Sequence, residues 1–145
     1  MKYFSNLRNG WANLTIGDFS CRCSYIQNVP IEILSAYDEF KQKGYCIITI
    51  DSEGYEHEII VTELGVHALT YRDRIHHFDL TKNFSTYIEK TMFLKDLFKD
   101  IAENIDVWAK WMCITDPNSD CYEQILNSYK NDILKYVKKY ANDIK

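Results

Sequence analysis

The stretch of the chain that decides its fold is Tyr45-Cys46-Ile47-Ile48-Thr49-Ile50-Asp51-Ser52-Glu53-Gly54-Tyr55-Glu56-His57-Glu58-Ile59-Ile60-Val61-Thr62. Residues 45–50 are rich in β-branched side chains, which favour strands. The polar residues 51–54 are typical of a tight turn, and residues 55–62 alternate between apolar and polar as a returning strand does. The stretch therefore predicts a β-hairpin.

Strand patterns also flank this hairpin on both sides. Residues 11–16 and 19–25 alternate with a period of two around a Gly-Asp turn, which predicts an earlier hairpin. Residues 66–71 and 75–80 predict a meander that continues the central hairpin. Residues 84–89 alternate once more and fit either a last strand or the beginning of the next helix.

A short helix is predicted between the two hairpins. Pro30 suits a first helical turn, because the N–H group that proline lacks would be unpaired there in any case. Apolar residues recur at helical spacing from Ile33 to Phe40, and Gly44 is typical of the position just after a helix ends. The predicted helix spans residues 30–43.

The C-terminal part of the chain has helical periodicity. One apolar stripe runs from Leu94 to Met112 and predicts a single long amphipathic helix. The polar segment 116–120 ends that helix, and a stripe from Tyr122 to Tyr140 predicts the last one.

These elements together predict one α+β domain over residues 1–145. Residues 1–90 are expected to form an antiparallel sheet of about five to six strands with the short helix inserted. Residues 91–145 are expected to form two amphipathic helices that pack on one face of the sheet.

The composition is that of an ordinary globular protein and argues against two classes of partner. The 145 residues are 46% hydrophobic and 26% charged, with a net charge of -4. Electrostatic binding to nucleic acid or to an anionic membrane needs clustered positive charge, so neither is an expected partner. No N-terminal signal pattern occurs and no apolar run is long enough to span a membrane, which predicts a cytoplasmic protein.

The five cysteines are odd in number and irregularly spaced, which predicts reduced thiols rather than a disulfide framework. Cys21 and Cys23 lie two apart on a predicted strand, so their sulfur atoms share one face. Structural zinc needs two further ligands at closer spacing than Cys113 and Cys121 offer. We interpret the pair as half-buried sheet cysteines and expect neither a metal nor a cofactor.

The histidines supply the catalytic alternative. His76 and His77 are adjacent, so on a strand they would point to opposite faces and could not bind one metal together. One of them could act with His57 or His67 as general acid and base in a small metal-independent hydrolase or nuclease. Nothing in the sequence brings these groups together, and the common phosphate-loop, zinc-helix and serine-elbow motifs are absent. We therefore assign no catalytic residue and favour a non-catalytic protein.

The charge distribution is most uneven in the central hairpin, where residues 51–63 hold five acids and no Lys or Arg. Glu56 and Glu58 share one face of a strand, so an edge of the sheet should carry a negative field that steers a basic partner. The residues predicted to bind this partner are Asp51, Glu53, Tyr55, Glu56 and Glu58. The alternative interpretation is a solvated hairpin tip that protects the sheet from aggregation.

Trp111 is the remaining predicted contact residue. It lies three residues after Trp108, so the two side chains share roughly one side of the predicted helix. Trp108 is expected in the core, whereas Trp111 lies off the centre of the apolar stripe and could anchor a contact. Self-association through Trp111 or a sheet edge, for example as a homodimer, is a further alternative.

Most of the first 112 residues carry a resemblance to known proteins. The segments concerned are Gly10-Trp11, Leu14-Thr15-Ile16-Gly17-Asp18-Phe19, Ser24-Tyr25, Val29-Pro30-Ile31-Glu32-Ile33-Leu34, Asp51-Ser52-Glu53-Gly54 and Ile105-Asp106-Val107-Trp108-Ala109-Lys110-Trp111. In them the chain resembles a group of small uncharacterised bacterial α+β proteins. In size, acidity and architecture it is similar to immunity proteins of polymorphic toxin and contact-dependent inhibition systems. The resemblance implies a protein that neutralises a basic toxin by binding it, and it assigns no site residues.

Overall fold

The architecture is α+β, as the sequence predicts. A computed structural model of the chain describes residues 1–73 and 77–145, and in them the chain forms seven strands and four helices. The strands are β1 (Phe4–Arg8), β2 (Trp11–Ile16), β3 (Phe19–Ser24), β4 (Cys46–Asp51), β5 (Tyr55–Thr62), β6 (Gly65–Asp73) and β7 (Phe78–Thr86). The helices are α1 (Val29–Lys43), α2 (Lys90–Ala102), α3 (Ile105–Met112) and α4 (Tyr122–Lys139).

The strands form two antiparallel sheets, whereas the sequence predicts a single sheet of five to six strands. The N-terminal sheet has the order β1-β2-β3 and the second sheet has the order β4-β5-β6-β7. The predicted central hairpin is confirmed as β4 and β5. The first strand was missed because only Phe4 of its five residues is buried, so β1 shows no readable alternation.

The last strand also differs from its prediction. The sequence predicts separate segments at residues 75–80 and 84–89, but β7 runs without a break over Phe78–Thr86. Residues 75–76 of the first predicted segment lie outside the described residues. Most side chains of β7 are exposed because this strand lies at the end of the sheet, and a strand without a buried face gives no periodic signal.

From residue 90 onward the described chain forms three helices, where the sequence predicts two. The predicted long helix is broken between Ala102 and Ile105 into α2 and α3. At the break the Asn104 side chain donates to the Asp100 carbonyl oxygen at 2.9 Å. Both helices face the same core, so the apolar stripe continues across the break and hides it. Among the described residues, no helix combines the length and the apolarity needed to cross a bilayer.

The predicted inserted helix is confirmed as α1. Its first turn is capped by the Asn28 side chain, which accepts from the Ile31 N–H at 3.4 Å. It ends at Gly44, whose φ of 80° is a left-handed conformation that glycine adopts without strain.

A cluster of buried side chains joins both sheets to the helices. Trp108 of α3 packs edge-on against Phe4 of β1, with ring centroids 4.8 Å apart, and against Trp111 at 5.3 Å. Tyr37 of α1 packs against Phe98 of α2 at 4.8 Å. Along β4, β5 and β6, buried side chains alternate with side chains that are partly or fully exposed. One face of the four-stranded sheet is therefore covered and the other is open.

The outer edge of β4 is covered by side chains instead of by another strand. The Glu32 carboxylate accepts from the Thr49 N–H at 3.0 Å. The Gln27 amide accepts from the Asp51 N–H at 2.9 Å and donates to the Thr49 carbonyl oxygen. These contacts occupy backbone groups that an edge strand would otherwise offer to another chain.

Removal of this edge cover should destabilise the protein. We expect Gln27→Ala to lower the free energy of unfolding by about 1–2 kcal/mol, because two partly buried backbone groups of β4 lose their partner. The matched control is Gln42→Ala, since Gln42 is exposed and its one side-chain hydrogen bond within residues 1–73 and 77–145 is to Asp38 on the same helix. Its effect should stay within about 0.5 kcal/mol. Equal losses for both variants in urea unfolding would show that the cover does not stabilise β4.

Candidate functional site

The uncovered side chains of the four-stranded sheet form a surface that we call the open face. It consists of those side chains of β4 to β7 that alternate with the buried ones. Its rows across the sheet are Asp51, Glu56, Tyr71 and Leu80, then Thr49, Glu58, Leu69 and Asn83, then Ile47, Ile60, His67 and Ser85. The open face thus carries acidic groups at one end and aliphatic groups beside them.

The acidic groups of the open face are crowded. Asp51 and Glu56 lie directly opposite each other on β4 and β5, an arrangement that destabilises a strand pair when both carry the same charge. Partial burial raises the pKa of the Glu56 carboxyl, and the negative charges of Glu58, Asp51 and Asp73 raise it further. In the part of the chain that the structure describes, no Lys, Arg or His forms an ion pair with Asp51, Glu56 or Glu58.

Two of the predicted binding residues lie away from this face. Glu53 is in the β4–β5 turn with a left-handed φ of 56°, and its carboxylate accepts from the Ser24 hydroxyl at 2.8 Å. It therefore fastens the turn to the N-terminal sheet. Tyr55 lies on the same side of β5 as the buried His57, although its own side chain is half exposed. The structure brings together Asp51, Glu56 and Glu58 on the open face, and Tyr55 lines a small cavity with Asp51 and Glu56 at the hairpin end.

Trp111 is placed in the core. It is only 5% exposed and packs against Trp108, so its side chain offers no surface contact in this conformation. The buried face of α3 comprises Trp108, Ala109, Trp111 and Met112. Trp111 lies at one edge of that face but is still covered, so the buried stripe is wider than the sequence predicts.

His57 is buried in the sheet with both ring nitrogens occupied. Its Nδ1 lies 2.8 Å from the Thr70 hydroxyl and its Nε2 lies 2.9 Å from the Ser52 hydroxyl. Burial lowers the pKa of His57, because the imidazolium form loses its hydration there. The ring also contacts Phe19 of β3 at 5.7 Å, so His57 helps to join the two sheets.

The described histidines form no catalytic pair. His67 lies on the open face with its Nδ1 2.8 Å from the Ser85 hydroxyl, whereas His57 lies on the covered side. His77 is exposed between β6 and β7, and His76 falls outside the described residues. His57 and His67 therefore lie on opposite faces of the sheet, and the predicted action of His76 with either of them falls outside the described residues.

The lowered pKa of His57 should make the free energy of unfolding depend on pH. Its pKa is lower in the folded chain than the unfolded value of about 6.5, so the unfolded state binds more protons between the two values. Its contribution is complete above the unfolded pKa and is lost as the pH falls toward the folded pKa. We expect His57→Gln to reduce the loss of unfolding free energy on acidification through this range. An identical pH dependence for wild type and His57→Gln in urea unfolding would contradict this assignment.

Cys21 and Cys23 are both buried, more deeply than the sequence predicts. A hydrogen bond with Cys23 and burial both raise the pKa of Cys21, which keeps its thiol protonated. Metal binding needs the thiolate. Within residues 1–73 and 77–145, no three or more His, Cys, Asp or Glu side chains are grouped so as to hold a metal ion.

The sequence interpretation missed a second surface feature, a polar cavity on the outer face of the N-terminal sheet. Trp11 and Asn13 were correctly placed on one face of a strand, and both line this cavity together with Arg8 and Arg22. The available signal was the absence of acidic residues at the outward positions of residues 4–16.

Comparisons of the chain with protein-family models, with curated proteins and with solved structures found no match. A function must therefore be inferred from the surfaces themselves. The open face combines exposed aliphatic groups with acidic groups that form no ion pair among the described residues.

Proposed function

We propose that this chain is a non-catalytic, cytoplasmic binding module that docks a basic protein domain on its open face. The observation that carries the proposal is the crowding of Asp51, Glu56 and Glu58, which form no ion pair with a cation in the described part of the chain. Like charges that face each other reduce the stability of the sheet, and the positive groups of a partner would relieve that repulsion.

The apolar part of the open face supports the same proposal. Ile47 and Leu80 are among the exposed large hydrophobic side chains, and Ile60 and Leu69 lie partly exposed between them. A partner would bury these groups at the centre of the contact, while the carboxylates would speed its approach and orient it. The acidic groups would thus set the association rate and orientation, and the aliphatic groups would contribute to the affinity.

The size, acidity and α+β architecture support a more specific proposal, which is that the chain acts as an immunity-like protein. The basic partner would then be a toxin domain, such as a nuclease whose substrate-binding surface is positively charged. An acidic face that covers this surface would exclude the toxin's polyanionic substrate. Neutralisation would need tight binding but no catalytic residue in this chain.

Affinity capture from the native cytosol, followed by mass spectrometry, tests the proposal. The neutral-face variant carries Asp51→Asn, Glu56→Gln and Glu58→Gln. The control variant removes the same number of charges from an exposed surface elsewhere, through Asp116→Asn, Asp120→Asn and Glu123→Gln. We expect wild type and control to retain one basic protein in stoichiometric amount and the neutral-face variant to lose it. Failure of the wild type to retain a specific protein would contradict the proposal, as would equal retention by all three.

Self-association through β7 is a second candidate function. This strand lies at the end of its sheet, is nine residues long and carries the exposed side chains Phe78 and Leu80. Such an edge can pair with the same strand of a second copy. Sedimentation at increasing concentration distinguishes the two candidates, because self-association predicts a rising mass and a partner-binding monomer does not.

A further inference from the structure

A second binding site is suggested by the cavity on the outer face of the N-terminal sheet. Its volume is about 430 Å³, and its lining shares no residue with the open face. The groups that could meet a ligand are the guanidinium groups of Arg8 and Arg22, the indole of Trp11 and the amides of Asn6, Asn9 and Asn13. Among the residues placed by the structure, no acidic side chain lines it, although the chain as a whole has a net charge of -4.

A bulge in β1 builds the cavity. Ser5 opposes Asn13 on β2, but Arg8 opposes Trp11, so β1 contains one extra residue between these two pairs. In an unbroken register Leu7 would oppose Trp11 on the outer face, and Arg8 would turn toward the core. The bulge reverses both positions: Leu7 packs against the core and Arg8 joins Trp11 on the outer face.

The backbone around the bulge holds two of the asparagines in unusual conformations. Asn6 has a φ of 55° and Asn9 has a φ of 51°, both in the left-handed region. Asparagine tolerates this region better than most residues do, but the conformation still costs some stability. The left-handed φ of Asn9, together with that of Gly10, is what a two-residue hairpin turn requires, whereas Asn6 lies within the bulge. Both asparagines line the cavity.

The arginines are prepared to receive an anion. The guanidinium carbon of Arg22 lies 3.9 Å from the centre of the Trp11 ring, so the guanidinium group stacks over the indole, which restricts its position. Among the residues that the structure describes, no carboxylate forms an ion pair with Arg8 or Arg22. The planar edges of these groups match the oxygen atoms of a phosphate and can bind it through paired hydrogen bonds.

We propose that this cavity binds a small phosphate monoester, such as a sugar phosphate or a nucleoside monophosphate. The two arginines would hold the dianionic phosphate, and the asparagine amides would bond to hydroxyl or ring groups of the organic part. The volume lies in the range of small-molecule sites. One phosphate fits this local positive charge, whereas a long polyanion would also meet the acidic remainder of the chain. The site is independent of the proposed docking of a basic protein.

Isothermal titration calorimetry with defined probes tests this proposal. Adenosine 5′-monophosphate and ribose 5-phosphate should bind with a Kd of about 1 mM or tighter, and adenosine should not bind in this range. Arg8→Gln and Arg22→Gln should each weaken phosphate binding at least about tenfold, because each removes a charge-assisted contact. Lys138→Gln removes a charge from an exposed position on α4 and should leave the affinity unchanged.

Several results would overturn the proposal. They are the absence of heat with both phosphates, equal binding of adenosine, or wild-type affinity in a folded Arg22→Gln variant. Tighter binding of a single-stranded oligonucleotide than of the monophosphate would instead assign the surface to nucleic acid. Thermal unfolding of each variant shows that it is folded, and Arg8→Gln should leave the contact of Arg22 with the Trp11 ring in place.

Discussion

Replacement of Trp108 by alanine is expected to lower the free energy of unfolding by about 3–5 kcal/mol, the largest loss for any single substitution proposed for this chain. Trp108 is fully buried and joins α3 to the N-terminal sheet through Phe4. Its removal leaves a large cavity where the sheet and the helix meet, and neither element can close it without moving the other. Urea unfolding followed by far-ultraviolet circular dichroism measures the loss.

Two further variants make this result specific. Val107→Ala lies on the same helix at an exposed position and should cost no more than about 0.5 kcal/mol. Trp108→Phe should retain much of the lost stability, because the Trp108 Nε1 group is buried without a hydrogen-bond partner among the described residues and contributes no bond. If Trp108→Ala were as mild as Val107→Ala, the contact between α3 and β1 would not hold the fold together.

The second large effect concerns the rate of partner binding. The neutral-face variant should associate with a basic partner at least about tenfold more slowly at low ionic strength, because the field that steers the encounter is removed. Its association rate should also depend less steeply on salt than that of the wild type. Stopped-flow or surface-binding kinetics with the captured partner, over a series of salt concentrations, measures both effects.

The control variant distinguishes the effect of the open-face acids on the association rate from the effect of the net charge. It removes the same number of acidic groups, so a slowing caused by overall charge alone would be equal in the two variants. We also expect the neutral-face variant to unfold no more easily than the wild type, because Asp51 and Glu56 no longer repel each other across the strand pair. A less stable neutral-face variant would contradict the inference that these acids are retained for binding.

Local features of the fold could be predicted from the sequence. The central hairpin follows from a β-branched run, a polar turn and an alternating return strand, all within residues 45–62. The inserted helix follows from its cap, its apolar spacing and Gly44. In both cases the interactions that specify the element are between residues close in the chain, so they can be recognised from local composition and hydrophobic periodicity.

Non-local features could not be predicted in the same way. The division into two sheets depends on which strands pair, and no short-range pattern records that β3 and β4 belong to different sheets. The bulge that places Arg8 beside Trp11 shifts one strand by a single residue, which reverses the face of every later side chain in that strand. The break before α3 is hidden for a related reason, because two helices on one core preserve a single stripe.

The candidate site was predicted in part. Alternation correctly grouped Glu56 and Glu58 on one face and His57 on the other, and the register of β4 adds Asp51. The position of Glu53 depends on a turn conformation and on a contact with Ser24, neither of which the sequence reveals. The aliphatic neighbours of the acids could also not be recognised, because they become a surface only when no helix covers that side of the sheet.

Methyl chemical shifts provide the most direct measurement of whether the open face binds a protein. The isoleucine δ1 methyl groups can be labelled and observed before and after the captured partner is added. Ile47 and Ile60 lie on the open face, while Ile26 and Ile114 are exposed elsewhere and serve as controls. We predict that the signals of Ile47 and Ile60 shift and those of Ile26 and Ile114 do not. Shifts confined to Ile26 or Ile114, with Ile47 and Ile60 unchanged, would place the partner on another surface and contradict the proposed function.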